Sequence, residues 1–415
     1  MTNQLKQNEL QRRGSLIVNR RAFLKATGVV GGTSIMAGKT AADAVEEGLL
    51  IEDDLPEPDE QPNVKLISTG GTIASTQAAQ EEDAGYSLSE QAEQILETVP
   101  LIDEFVNITI EEVAEVPSPE LVPDDFVAVA EAAREADANG FDGVIVTHGT
   151  SSIEEDAYYN DLILDLDIPV VFVGAMRPAD ADSADGPANL LTAVRTVTRR
   201  EFHLEDEPSG VYVTMNDEVH AARDVTKMDT HKVETFESGP KGPIAIFTDD
   251  ELLLYRNPGS HSADLSECTS TNKNVPIVTT AAGANAFVIE QTLEGNYDAD
   301  GFVIKVVGRS GSSPDLLTAR EQAVDAGYPI VRTSLNVTGP VAPTDGENDE
   351  ITAGDLNGRK ARLHLMLALE TTSDFRGLQA SFDEGSYGIP VVAPSTIEVD
   401  SGTESEVETD NEDEE

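Results

Sequence analysis

The chain has 415 residues, of which 39% are apolar and 25% charged, and this is enough for two domains that each bury a core. This composition excludes a wholly disordered or fibrous protein. The single cysteine, Cys268, excludes an internal disulfide framework and a Cys-rich metal site. No uninterrupted apolar run reaches 18 residues, so we expect no membrane-spanning helix and no stable membrane anchor.

The chain is strongly acidic, with 78 Asp and Glu against 27 Lys and Arg and a formal net charge of −51. This sign is opposite to that of a nucleic-acid-binding surface, so we expect no nucleic-acid partner. Residues 398–415 form an acidic tail but hold only 10 of the acids, so most of the excess is spread over the folded body. Such self-repulsion suits a very salty solvent, which predicts a halophilic protein.

The first 45 residues differ from the rest in charge. Residues 1–44 carry seven basic and two acidic side chains. Arg20 and Arg21 precede a short, Gly-rich apolar run at residues 26–37 and then small residues near position 42. This pattern resembles a twin-arginine export signal and predicts an exported protein. A basic amphipathic helix is the alternative, but the run lacks helical periodicity.

After an acidic linker at residues 46–61, short apolar runs alternate with segments of helical spacing. Runs at 64–68, 143–147, 170–173 and 210–214 predict buried strands, while helical spacing marks residues 124–136 and 188–199. Such alternation predicts an α/β fold with a parallel sheet. We therefore predict a larger N-terminal domain at 62–255, an irregular polar linker at 256–274, a smaller α/β domain at 275–392 and an acidic tail at 393–415.

A pair of glycines ends the first predicted strand, in residues 69–74 with the sequence TGGTIA. Gly70 and Gly71 allow the backbone to turn and let a substrate approach bare amide groups, which can stabilise an oxyanion. Thr72 adds a hydroxyl at the same place. Ligands of parallel sheets bind at such strand ends, although an ordinary turn has the same sequence.

Three later segments also carry polar groups at predicted strand ends. Residues 147–155, THGTSSIEE, supply a second hydroxyl cluster, although Ser or Thr followed by Glu is also typical of a helix N-cap. Residues 174–178, GAMRP, lead into 183–189, SADGPAN. Residues 215–217, MND, precede 222–227, ARDVTK.

These four segments, in this order, resemble the L-asparaginase/glutaminase family of threonine amidohydrolases, over roughly residues 62–380. The resemblance implies two α/β domains, assembly as a homo-oligomer, tetramer or dimer, and hydrolysis of a small amide such as asparagine or glutamine. It implies no metal and no organic cofactor. The six histidines accordingly form no His-x-x-x-His pair, although His148 could orient Thr150.

The resemblance also implies roles for individual residues. Thr72 matches the family's nucleophile, and Tyr86 matches a lid tyrosine that contacts it, although a plain surface tyrosine remains an alternative. Thr150 matches a second active-site threonine, and Lys227 the lysine that promotes loss of its proton. Gly71, Ser118 and Ser151 are expected to bind substrate, with Gly71 offering its amide.

Ser151 marks a departure from the family pattern, which usually has aspartate at this position. That aspartate is expected to hold the substrate's α-ammonium group, so its absence removes a contact worth about 1.5–3 kcal/mol. The specificity for a free α-amino acid is therefore left undecided. Pro119 replaces a substrate-segment Gln or Glu. Glu347 or Glu350 could supply a carboxylate to the site. Two alternatives to an asparaginase therefore remain: an amidase for another amide, and a non-catalytic exported binding protein.

Overall fold

The structure is a computed structural model. It describes residues 61–69, 96, 99, 102, 106–114, 117–204, 207–248, 251–259, 262–308, 311–341 and 350–384. The predicted export signal and acidic tail, together with Gly71, Thr72 and Tyr86, lie outside these described residues. None of the described helices is long and apolar enough to cross a membrane.

Five parallel strands make up one part of the larger sheet. They are β1 (Asn63–Ser68), β2 (Asn107–Glu112), β3 (Gly143–Thr147), β4 (Val170–Val173) and β5 (Val211–Met215). Their spatial order is β2, β1, β3, β4, β5. Every residue of β3, β4 and β5 is buried, as runs of β-branched residues predict for a sheet covered on both faces.

Helices cover both faces of this sheet. They are α1 (Pro123–Ala138), α2 (Ile153–Ile163) and α3 (Gly186–Val197). Leu190 and Val194 of α3 pack against Val171 on one face. Helices α1 and α2 pack in the cluster on the other face, which contains Val146 and Phe172. The sheet is therefore the middle layer of a three-layer α/β domain.

The remaining strands of the larger sheet are antiparallel. They are β6 (Glu218–Ala221), β9 (Ala245–Thr248) and β10 (Glu251–Leu254). Asn216 and Asp217 join β5 to β6 with φ of 56° and 64°, a two-residue turn that reverses the chain. Strand β10 was not among the predicted strands, because it forms by backbone pairing with β9 and its side chains are mostly exposed.

The smaller domain is a second layered α/β unit. Its strands β11 (Ile277–Thr279), β12 (Phe302–Val306), β13 (Ile330–Ser334) and β14 (Glu350–Thr352) are parallel and stand in chain order. Its helices are α4 (Phe287–Leu293), α5 (Pro314–Asp325), α6 (Gly358–Thr371) and α7 (Phe375–Glu384). The prediction of two α/β domains with a larger, mainly parallel sheet is confirmed.

One apolar cluster crosses between the domains. Tyr158 and Leu162 of α2 share it with Leu365 of α6, and the Tyr158 hydroxyl lies 2.9 Å from Nδ1 of His364. Helix α6 therefore packs directly on α2. This contact brings the first turn of α6 beside the loop that precedes α2.

Candidate active site

The chain leaves β1 and β3 at adjacent positions on the sheet. Both the backbone amide and the hydroxyl of Thr69 donate to the carbonyl oxygen of Thr147 at 3.1 Å. Thr69 is the last described residue before the glycine pair, and Thr147 ends β3. The two segments that the sequence predicts to be catalytic thus begin side by side, as the parallel pairing of β1 with β3 requires.

His148 fixes the shape of the loop after β3. Its ring is fully buried, with Nδ1 2.8 Å from the carbonyl oxygen of Gly149. Its Nε2 lies 3.0 Å from a carboxylate oxygen of the buried Asp156, at an ion-pair distance. Burial raises the pKa of Asp156, and His148 opposes that rise. The histidine ties the loop to α2 and so orients the residues between them.

Ser152 joins this loop to the segment that carries Ser118. It stands at the N-cap position of α2, but its hydroxyl caps no helix amide. The Ser152 hydroxyl instead donates to the carbonyl oxygen of Ser118 at 2.6 Å. The alternative interpretation of this cluster, as side-chain N-capping, therefore does not describe Ser152. Its bond holds Ser118, itself buried, against the loop that carries Thr150.

Thr150 and Lys227 are in direct contact. Nζ of Lys227 donates to Oγ1 of Thr150 at 2.8 Å, across 77 residues of sequence. Lys227 lies in β7 (Thr226–Lys227), which pairs with β8 (Phe236–Glu237). Gly174, which follows β4, leaves room for this threonine, because a Cβ at position 174 would lie 3.0 Å from the Thr150 methyl group.

The surroundings of Lys227 favour its neutral form. Burial lowers the pKa of Lys227, the Arg359 guanidinium lowers it further, and Glu154 opposes both effects. A lowered pKa makes it easier for an amine to give up its proton and then to accept one from a neighbouring group. The Thr150–Lys227 contact can therefore relay a proton.

The smaller domain holds the segment that leads to Lys227. Nζ of the buried Lys360 donates to the carbonyl oxygens of Ala222, Arg223 and Val225, at 2.5–3.0 Å. Burial lowers the pKa of Lys360 to about 8. Nδ2 of Asn357 adds a hydrogen bond of 3.1 Å to the Thr226 hydroxyl. The backbone before Lys227 is thus fixed by α6 and the residue before it.

Arg359 contacts the other half of the site. Its Nη1 donates to Oε1 of Glu154 at 2.7 Å, and its Nη2 donates to the carbonyl oxygen of Ser151 at 2.6 Å and to Oε2 of Glu155. No sequence motif assigned a site role to Arg359, Lys360 or either glutamate. Adjacent acids before a helix gave only a weak signal, and no local pattern links position 359 to position 154.

Ser118 and Ser151, the two predicted substrate-binding residues that the structure describes, line one cavity of about 350 Å³. Ser151 is exposed and carries no charge. Thr150 precedes the lining residue Ser151 in the chain, but neither Thr150 nor Lys227 lines the cavity. The other lining residues are Pro119, Leu121, Pro123, Phe126, Ser152, Glu155, Arg359 and Arg362.

Glu350 is not available to this site. It is buried in β14, where its carboxylate accepts hydrogen bonds from Arg320 Nε at 2.9 Å and Nη2 at 2.6 Å and lies 3.1 Å from Nε of Arg332. Its two oxygens therefore serve a buried ion-pair cluster of the smaller domain. Glu347, the other acid considered, lies outside the described residues. Within the described ranges, no group of three His, Cys, Asp or Glu side chains could hold a metal ion.

Comparisons with known proteins cover both domains. The family model "Asparaginase, N-terminal" matches residues 63–259, and "Glutaminase/Asparaginase C-terminal domain" matches residues 274–382. The chain is 33% identical over 331 residues to a glutaminase-asparaginase of Pseudomonas fluorescens, covering 78% of this chain and 90% of that protein. It is also 33% identical over 333 residues to L-asparaginase 2 of Escherichia coli, covering 78% and 93%.

A solved structure gives the same result. The probable cytoplasmic L-asparaginase of Campylobacter jejuni superposes with a TM-score of 0.69 at 31% identity, covering 78% of this chain and all of that one. Sequence and fold therefore agree over the same two domains. The chain belongs to the asparaginase family and is an amidohydrolase of that family.

Proposed function

We propose that this enzyme hydrolyses the side-chain carboxamide of L-asparagine, and secondarily that of L-glutamine, to a carboxylate and ammonia. The 2.8 Å hydrogen bond from Lys227 to Thr150 carries this proposal, because it joins an amine of lowered pKa to a hydroxyl beside the strand ends where substrates bind. The relatives named as asparaginases and glutaminase-asparaginases support the choice of substrates.

In the proposed reaction, Thr72 is the nucleophile. Its hydroxyl oxygen attacks the amide carbon, its proton passes to the leaving nitrogen, and ammonia departs to leave an ester on Thr72. The Gly71 amide stabilises the oxyanion of each tetrahedral intermediate, and Tyr86 contacts Thr72 from the lid. Water then attacks the ester carbon while the Thr150–Lys227 pair accepts its proton. That proton returns to Thr72 as the ester bond breaks.

Ser151 favours a second candidate substrate class. A free amino acid brings an α-ammonium group, and Ser151 offers it a hydroxyl instead of a carboxylate. Glu155, the acid that lines the same cavity, is already paired with Arg359, and Arg362 adds a second positive charge to the lining. An amide without an α-ammonium group loses nothing in such a cavity. The second candidate is therefore an amidase for small amides of that kind.

Ammonia release from asparagine, glutamine and simple amides, measured in high salt, tests both candidates. We expect turnover of asparagine and its loss in Thr72→Ala, while the matched control Thr318→Ala, at an exposed site on α5, retains it. Turnover of simple amides without turnover of asparagine would favour the second candidate. Release from none of them would indicate a binding protein, and full activity of Thr72→Ala would exclude Thr72 as the nucleophile.

We also propose that the protein is exported through the signal at residues 1–45. Twin arginines are the charged feature of such signals, so Arg20→Lys with Arg21→Lys should leave the precursor inside the cell. Immunoblots of cell and medium fractions measure this distribution. Unchanged export of the double variant would show that the segment is not a twin-arginine signal.

A further inference from the structure

Arg359 reaches from the smaller domain into the loop that carries Thr150. It is the second residue of α6, and its side chain is 40% exposed. Its guanidinium contacts Glu154, Glu155 and the carbonyl oxygen of Ser151. These three partners lie in the segment that runs from the residue after Thr150 to the first turn of α2. One side chain of the smaller domain thus binds both the backbone and the acids beside the candidate proton relay.

Glu154 lies between Arg359 and Lys227. Its carboxylate is buried, with Oε1 accepting from Arg359 at 2.7 Å and Oε2 accepting from the backbone amide of Lys227 at 3.0 Å. Each oxygen is therefore bound, and neither forms a salt bridge with the Lys227 ammonium. Among the residues that the structure describes, the side-chain partner of Lys227 Nζ is the Thr150 hydroxyl.

The charge near Lys227 depends on this arrangement. A carboxylate close to an ammonium group stabilises the charged form, and a guanidinium destabilises it. The charged groups that face Lys227 are Glu154 on α2 and Arg359 on α6, and Ser151 adds no charge. Two other cations interact with Glu154: the buried Lys360, whose Nζ is bound to three carbonyl oxygens, and Lys227. Without Arg359, Lys227 would therefore be the cation that can pair with the released carboxylate oxygen.

We propose that Arg359 is a positioning residue that keeps the Glu154 carboxylate from pairing with the Lys227 ammonium, so that Lys227 can give up its proton. The smaller domain thereby controls the protonation of a residue on the larger one. This proposal rests on the proposed function only for the consequence that the protonation of Lys227 governs turnover. The contacts of Arg359 with Glu154 stand independently of the reaction.

Competitive labelling of Lys227 with acetic anhydride across a pH series, read by mass spectrometry at fixed salt, tests the proposal without any substrate. In Arg359→Met, the midpoint of Lys227 labelling should rise by about one pH unit, as expected for an ammonium that gains a carboxylate. Arg359→Lys should keep the midpoint near that of the wild type. Arg362→Met, which removes the same charge one turn along α6, serves as the matched control and should not move it.

The double variant Arg359→Met with Glu154→Gln separates charge from structure. If Arg359→Met acts through charge, removal of the carboxylate should return the Lys227 midpoint toward the wild-type value. If Arg359→Met only loosens the loop, the second substitution should leave the midpoint shifted. An unchanged midpoint in Arg359→Met, or no return in the double variant, would overturn the proposal. The acidic limb of kcat/KM for asparagine should move with the midpoint. Absence of activity toward every amide would instead contradict the proposed function. The labelling result would still test the role of Arg359, because labelling needs no substrate.

Discussion

Replacement of Lys227 by methionine should slow amide hydrolysis by about 10²–10⁴, the usual contribution of acid–base catalysis, and leave the protein folded. Methionine keeps the length of the side chain but cannot exchange a proton with Thr150, which Lys227 now contacts at 2.8 Å. The measurement is kcat from ammonia release, with circular dichroism to confirm the fold. Lys273→Met removes a lysine from a surface pair with Asp300 and should stay within about twofold of the wild type.

Thr150→Val tests whether the two residues act as one unit. Groups that act together show strongly non-additive effects, so the double variant Thr150→Val with Lys227→Met should be about as slow as the slower single variant. If the rate losses of the two single variants multiply in the double variant, the two residues act separately. Retention of more than half of the wild-type kcat in Lys227→Met would remove Lys227 from the proton relay.

The folded protein should lose its structure when salt is lowered to about 0.1 M. A compact body of 44.3 kDa exposes roughly 15,500 Å², so a net charge of −51 places one charge about every 300 Å². Net charges then lie about 17 Å apart. At about 0.1 M salt the Debye length is about 10 Å, and these charges still repel one another. At about 1 M salt the Debye length falls to about 3 Å, so the salt screens their repulsion. We propose on this ground that the enzyme is adapted to high salt.

The dependence on salt concentration identifies the mechanism. If screening stabilises the fold, the thermal midpoint followed by circular dichroism should rise steeply with KCl up to about 1 M and then level off. Sucrose, which is excluded from protein surfaces but carries no charge, is the control and should not replace KCl. A rise that continues without a plateau would indicate strengthened burial of apolar surface instead. Full helicity and activity at 0.1 M KCl would contradict the proposal.

Local sequence predicted the elements of the fold well where periodicity and burial agree. The apolar runs at 143–147 and 170–173 are β3 and β4, because a strand covered on both faces must be apolar throughout. Helices α1 and α3 begin and end within about two residues of their predicted limits. Edge strand β10 was not predicted, because it depends on pairing with β9 and not on an apolar face.

Short motifs and strand rhythm are local properties of the chain, so they were enough to predict the two-domain α/β architecture, the acidic body and the candidates Thr72, Thr150 and Lys227. The surroundings of Thr150 and Lys227 became known only from the folded structure. Arg359 meets Glu154 across 205 residues, and Lys360 meets the carbonyl of Ala222 across 138. Such contacts follow from the packing of α6 on α2, which no local pattern records. The same packing sets the charge near Lys227, because it places the Arg359 guanidinium on the buried Glu154 carboxylate.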